Sequence, residues 1–203
     1  MKKGFTLAEM LITTGLISVL ACILLPMLGH IQPNEEMLKF KKAYYLTERA
    51  VSELINDDDI YPEPEDNQLP FLGNTVQPIS PEYGDPKYSG LTKFCELFAS
   101  KLNTISDVTC QEHQFADGQA PVGTFTTSDQ VVWILPVTTF DNNNTEYNIQ
   151  LDVNGTKAPN CVYNQDACAK PDRFTIHIFQ DGRVSVDGVM EREYLTRSRI
   201  SDD

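Results

Sequence analysis

The sequence predicts an α+β fold in which a long N-terminal α-helix packs on an antiparallel β-sheet of about four strands. Two observations carry this prediction. Apolar residues fill most of 5–29 and then recur at helical steps through 56, whereas much of the second half of the chain alternates apolar and polar residues as strands do. The 203 residues allow one domain with an appendage.

The N-terminal segment 5–29 carries one formal charge, Glu9, in an otherwise uncharged and mostly apolar run. At 1.5 Å per residue, a helix of this length spans about 37 Å, more than the hydrocarbon core of about 30 Å. Lys2 and Lys3 supply the basic flank that stays cytoplasmic. No small-residue cleavage site follows the run. These features predict a retained transmembrane helix.

The opening residues MKKGFTLAE resemble the leader of type IV prepilins and of type II secretion pseudopilins. The resemblance implies that a prepilin peptidase removes a leader, residues 1–4, by cutting after Gly4, and that the new N-terminal residue, Phe5, is methylated. It also implies that residues 5–29 form the polymerisation helix, that Glu9 acts in assembly and that Pro26 kinks this helix. The implied fold is pilin-like.

Glu9 needs a physical explanation, because a carboxylate inside an apolar membrane helix costs about 2.5–3.5 kcal/mol on insertion scales. One explanation is that Glu9 lies near the membrane surface and is solvated. The other is that, in a staggered bundle of such helices, Glu9 of one subunit pairs with the Phe5 amine of its neighbour. The second explanation makes Glu9 the residue that fixes the register of a polymer.

The resemblance implies a structural subunit of a type IV pilus or pseudopilus. Its partners would be other pilin or pseudopilin subunits, the prepilin peptidase and methyltransferase, the assembly platform and membrane lipid. It would lie in the cytoplasmic (inner) membrane with its C-terminal domain exported, and then in the filament. Two alternatives stay open: a minor tip or priming subunit that binds a ligand, and a membrane-anchored periplasmic binding domain that does not polymerise.

Composition excludes other functions. The 16 Lys and Arg against 29 Asp and Glu give a formal net charge of −13. Such a surface repels phosphate backbones, and we expect no direct nucleic-acid contact. The chain also lacks a phosphate loop, a metalloprotease pair, a dinucleotide fingerprint and a serine-nucleophile motif. We therefore expect no enzymatic activity.

Four regions follow the apolar run. Residues 30–56 read as an amphipathic continuation of the same helix, with Pro33 at the junction. Residues 57–203 form the exported globular domain, which begins with a Pro-rich loop over 57–90. A short helix is predicted over 91–102. The predicted strand segments are 124–127, 130–135, which reads as a strand covered on both faces, 147–153 and 174–178, with a turn at 181–182 leading into Val184 and Val186.

The chain has five cysteines. Cys22 lies in the apolar helix and reads as a small apolar side chain. The other four allow three pairings, of which the most local joins Cys95 to Cys110 and Cys161 to Cys168. The alternative is a zinc site in which Cys110 and His113 form one half and Cys161 and Cys168 the other, although an oxidising compartment argues against it.

One loop offers candidate metal ligands. Asp152, Asn154, Asn160 and Asp172 supply oxygens suited to Ca²⁺. The alternative is a set of Asx turns around Asn154-Gly155 that needs no ion, and we otherwise expect no cofactor.

Overall fold

The computed structural model describes residues 6–29, 34–62, 72–110, 122–140, 145–155, 157–163, 168 and 170–197. Within these ranges the protein is α+β. Its helices are α1 (Leu7–Gly29), α2 (Glu35–Ile55), α3 (Lys93–Ser100) and α4 (Val189–Thr196). Its strands are β1 (Thr109–Cys110), β2 (Val122–Thr126), β3 (Val132–Pro136), β4 (Glu146–Asp152), β5 (Arg173–Phe179) and β6 (Val184–Ser185).

The prediction of one long N-terminal helix is not borne out. The structure has two separate helices, α1 and α2, and the chain divides between Glu35 and Glu36 into two compact units. The physical reason lies in Pro33, which has no backbone N–H to donate to a helix and disfavours helical backbone in the residue before it. We call the second unit, residues 36–203, the head.

The predicted transmembrane span is not found either. No helix within the described ranges is long and apolar enough to cross a membrane.

The sheet has six antiparallel strands rather than about four, arranged in sequence order from β1 to β6. The two additional strands, β1 and β6, are short and lie at its edges. The two longest strands, β4 and β5, are paired over their whole length, with Ile149 opposite Ile176 and Leu151 opposite Phe174. Alternate residues of both strands are buried, which confirms the alternation in the sequence.

Strand β3 is covered on one face only, so the prediction of a strand covered on both faces is wrong. Trp133 and Leu135 are buried, whereas Val132 and Ile134 are partly exposed. β-Branched residues suit a half-buried sheet surface as well as a fully buried one, so a continuous apolar run does not distinguish the two cases.

The core of the head lies between α2 and the buried face of the sheet. The ring of Phe40 from α2 lies 4.7 Å from that of Phe174 on β5, and Tyr194 from α4 packs 5.6 Å from Phe174. Helix α3 also packs on the sheet, with the ring of Phe98 5.7 Å from that of Trp133 on β3. Helix α4 was not predicted.

The described part of the Pro-rich region 57–90 contains two short 3-10 turns, Pro81–Tyr83 and Pro86–Tyr88, and a third, Gly90–Thr92, begins at its last residue. It contacts the turn that follows β5, where the Leu72 N–H donates to the Gln180 carbonyl at 2.9 Å. It is also held by α3, whose buried Lys93 donates from Nζ to the carbonyls of Ile60 at 2.8 Å and Val76 at 2.7 Å.

Candidate functional site

The start of α1 is closed by a reciprocal pair of hydrogen bonds between Thr6 and Glu9. The Thr6 N–H and hydroxyl each donate to Glu9 Oε2 at 2.8 Å, and the Glu9 N–H donates to Thr6 Oγ1 at 3.3 Å. This arrangement is a capping box, in which a threonine and a glutamate three residues later satisfy N–H groups that the first helical turn leaves unpaired. The pattern Thr-x-x-Glu is visible in the sequence, but neither explanation given above for Glu9, solvation at the membrane surface or pairing with a neighbour's Phe5 amine, includes this cap.

Helix α1 exposes apolar side chains around its whole circumference. Nine large apolar residues between Leu7 and Ile23 are at least half exposed, from 54% at Leu20 to 81% at Leu7. The hydroxyl groups of Thr14 and Ser18 do not give the helix a polar face, because both bond to its own backbone. Thr14 donates to the Met10 carbonyl at 2.6 Å, and Ser18 donates to the Thr14 carbonyl at 2.8 Å. A helix that is apolar on all sides is normally covered by other groups.

The other predicted residues of this segment are only partly accounted for. Gly4 and Phe5 lie outside the described residues. Pro26 lies within the bounds of α1, and the kink predicted there stays a prediction. Cys22 is a free, exposed cysteine, as expected.

Both local disulfides are confirmed. Cys95 pairs with Cys110, which joins α3 to β1, and Cys161 pairs with Cys168 within the loop after β4. The zinc alternative is therefore wrong for these cysteines, because their four sulfur atoms are bonded to one another. His113 lies outside the described residues.

The four predicted calcium ligands come together where the loop after β4 returns to β5. Asp172 is the centre of this turn. Its carboxylate accepts three hydrogen bonds, from Asn154 Nδ2 at 2.9 Å, the Asn160 N–H at 2.8 Å and the Cys161 N–H at 2.7 Å. Only the sequence positions of these residues were predicted; the bracing of the turn by Asp172 was not, because it joins residues that lie 11 to 18 positions apart.

Arg173 lies beside the same group and supplies a positive charge. Its Nε donates to Asp152 Oδ2 at 3.3 Å, and its guanidinium also donates to Asn160 Oδ1 at 3.4 Å. Burial raises the pKa of the Asp152 carboxyl group, while the Arg173 guanidinium opposes the rise. The remaining oxygens, Asp152 Oδ1 and Asn154 Oδ1, are buried without a hydrogen-bond partner among the described residues.

These residues fit the turn interpretation better than a calcium site. Ca²⁺ takes six to eight oxygen ligands, whereas the oxygens of Asp172 already accept three donors and Arg173 occupies two of the other predicted ligands. Within the described part of the chain, no group of three or more His, Cys, Asp or Glu residues could hold a metal ion. Calcium binding stays a prediction, because Asp152 Oδ1 and Asn154 Oδ1 have no hydrogen-bond partner among the described residues.

The histidine in the described part of the head is structural in its contacts. His177 on β5 bonds through Nδ1 to Glu146 of β4, and its Nε2 lies 3.7 Å from Asp187 Oδ2. Asp187 in turn lies 3.6 Å from Arg192 of α4. These contacts tie the sheet to α4, and they include no nucleophilic side chain.

Comparison with known proteins finds no matching family model, no similar curated protein and no similar solved structure.

Proposed function

We propose that this protein is a structural subunit of a filament of the type IV pilus or pseudopilus kind, and that it assembles through α1. The observation that carries the proposal is the exposure of large apolar side chains around all of α1 in the isolated chain. Burying each such side chain contributes about 1.5–3 kcal/mol, so the helix gains most when other groups cover every side of it. The α1 helices of neighbouring subunits are the proposed cover.

The resemblance of MKKGFTLAE to prepilin leaders supports the same proposal. Under it, residues 1–4 are removed after Gly4, Phe5 is methylated, and the processed subunit waits in the cytoplasmic membrane before assembly. Its partners are other subunits, the prepilin peptidase and methyltransferase, and the assembly platform. The two alternatives are a minor subunit at the filament tip and an anchored domain that never polymerises.

The capping box gives a sharp way to test the role of Glu9, because glutamine can also fill the last position of such a box. Glu9→Gln keeps an oxygen that can accept from Thr6 and removes the charge. Thr6→Ala removes the cap, at a typical cost of about 1 kcal/mol, and keeps the charge. If Glu9 pairs with a neighbour's Phe5 amine, we expect Glu9→Gln to abolish assembly and Thr6→Ala to leave most of it.

Assembly can be measured with the chain's own free thiol. Cys22 is exposed on α1, so bis-maleimide reagents of several lengths should crosslink neighbouring α1 helices in intact cells, with Cys22→Ser as the negative control. Yields are normalised to processed protein, identified by an intact mass that lacks residues 1–4 and carries one methyl group. We expect Glu9→Gln to lower the yield at least about tenfold, since breaking a buried ion pair costs about 3–5 kcal/mol.

Three outcomes separate the alternatives. No Cys22-dependent crosslink in the wild-type chain would contradict assembly through α1 and leave an anchored domain. Wild-type crosslinking in Glu9→Gln would eliminate the ion pair while leaving assembly in place. Crosslinks to other proteins without crosslinks between copies would identify a minor subunit.

A further inference from the structure

An open cavity of about 480 Å³ lies on the head, away from the 152–172 turn. Three segments form its walls: the 3-10 turn Pro86–Tyr88, helix α3, and residues 102–108. Its volume is within the range of about 300–1,000 Å³ that is usual for small-molecule sites.

One disulfide and several hydrogen bonds hold the three walls in place. The Cys95–Cys110 disulfide joins α3 to the strand that follows residues 102–108. Ser106 Oγ accepts from the Thr126 N–H at 2.8 Å, and the Ile105 N–H donates to the Thr126 carbonyl at 2.8 Å, so this segment is held on β2. A cavity with fixed walls loses little conformational entropy when a ligand binds.

The 3-10 turn is held to α3 in a similar way. The Thr92 hydroxyl, one residue before α3, donates to the Lys87 carbonyl at 2.8 Å. Asp85 accepts from the Lys87 N–H at 3.0 Å and so caps the turn. The position of Lys87 is therefore set by hydrogen bonds at both its N–H and its carbonyl.

Opposite charges face this cavity without touching. Lys87 comes from the 3-10 turn, Glu96 from α3, and Asp107 from the third wall. Burial raises the pKa of the Glu96 carboxyl group, the Lys87 cation opposes this rise, and Asp85 adds to it. None of the ion pairs between described residues, however, joins Lys87 to Glu96. A partly desolvated carboxylate without a contacting cation is a group that a ligand can complete.

We infer that this cavity binds a small zwitterion of the amino-acid class, with the Lys87 ammonium receiving its carboxylate and the Glu96 carboxylate receiving its ammonium. Ser100 and Thr104 add hydroxyl groups to the lining. Asp107 supplies a second carboxylate, which favours a basic amino acid, because its side-chain cation can pair there. Lysine is therefore the first ligand to test.

The test measures binding of L-lysine to the full-length chain by isothermal titration calorimetry, beside two analogues that each lack one kind of charge. Cadaverine lacks the carboxylate, and hexanoate lacks both amino groups. We expect lysine to bind with a dissociation constant of about 1 mM or lower, and each analogue to bind at least about tenfold more weakly. Equal binding of lysine and cadaverine would overturn the role of Lys87.

Variants separate this site from non-specific attraction by the acidic surface. Glu96→Gln and Lys87→Met should each weaken lysine binding at least about tenfold. Glu82→Gln and Lys157→Met, two exposed sites outside the lining, should leave it unchanged. Glu96→Gln removes a partly buried charge, so we expect the variant to fold, and circular dichroism checks this. No lysine binding by the wild-type chain, or equal binding by all four variants, would overturn the inference.

Discussion

Lys93 is a buried cation whose contacts are carbonyl oxygens and an aromatic ring. It is 1% exposed, its Nζ donates to two backbone carbonyls, and it lies 4.2 Å from the centre of the Tyr61 ring. Burial lowers its pKa to about 8. The cost of keeping the ammonium out of water is offset in part by the hydrogen bonds to those carbonyls.

This lowered pKa predicts how stability changes with pH. The unfolded chain holds the Lys93 proton up to its ordinary pKa of about 10.4, whereas the folded chain releases it near 8. Between these values the unfolded state binds more protons, so stability rises with pH. We expect the free energy of unfolding of the wild type, relative to Lys93→Met, to increase by on the order of 1–2 kcal/mol from about pH 7 to about pH 9.5.

Urea denaturation of both proteins across this pH range measures the difference. Comparing them cancels the titration of other groups, including the buried Tyr61, whose pKa is raised by burial. A difference in free energy that stays constant with pH would show that Lys93 keeps its ordinary pKa in the fold.

At the scale of single elements, the Cys95–Cys110 disulfide leaves no room for a side chain on β2. A β-carbon built at Gly123 collides with Cys95 Sγ and lies 3.0 Å from Cys110 Sγ. Gly123→Ala should therefore destabilise the head by about 1–3 kcal/mol, the usual cost of overpacking. Gly84→Ala is the matched control, because its β-carbon meets only the Pro81 carbonyl oxygen, at 3.3 Å, in an ordinary backbone conformation.

A double-mutant cycle shows whether the disulfide is the cause. In a Cys95→Ala/Cys110→Ala background the sulfur atoms are gone, and thermal denaturation should find that Gly123→Ala costs little or nothing more. The same cost in both backgrounds would mean that glycine is required at position 123 for another reason.

The turn at 152–172 gives a second prediction at this scale. If Asp172 braces the turn and no ion is needed, Asp172→Asn should lower stability by about 2–3 kcal/mol, because an amide cannot replace a carboxylate that accepts three donors. Asp58→Asn, at an exposed position, serves as control. Added Ca²⁺ and added chelator should then leave the wild-type melting temperature unchanged. A melting temperature that rises with Ca²⁺ and falls with chelator would instead establish the calcium site.

At the scale of the whole molecule, the sequence predicts the elements that have strong local patterns. Three local patterns were each sufficient to predict a feature of the fold. The alternation predicted β4 and β5, the helical stripe predicted helical structure over α2, and the cysteine spacing predicted the two disulfides. Helix α4 has a weak stripe of its own and is held by Tyr194 against Phe40 and Phe174, partners that lie far away in the chain. Tertiary contacts of this kind override local propensity and cannot be read from it.

At the candidate sites, too, the sequence did not predict which side chains would contact one another. The sequence placed Asp152, Asn154, Asn160 and Asp172 in one loop region, yet it gave no sign that Arg173 would donate hydrogen bonds to Asp152 and Asn160. It identified Glu9 but missed the bond to Thr6, although the capping pattern was present. Lys93 is the first residue of α3, where a lysine is usually expected in solvent.

The two short edge strands have a consequence for a protein that is proposed to assemble into a filament. Exposed sheet edges offer unpaired N–H and C=O groups to any neighbouring chain, and long flat edges cause aggregation. Here the outermost strands, β1 and β6, are two residues long, and β1 is fastened to α3 through Cys110. These two edge strands therefore offer little backbone of their own for pairing with the sheet of a neighbouring head.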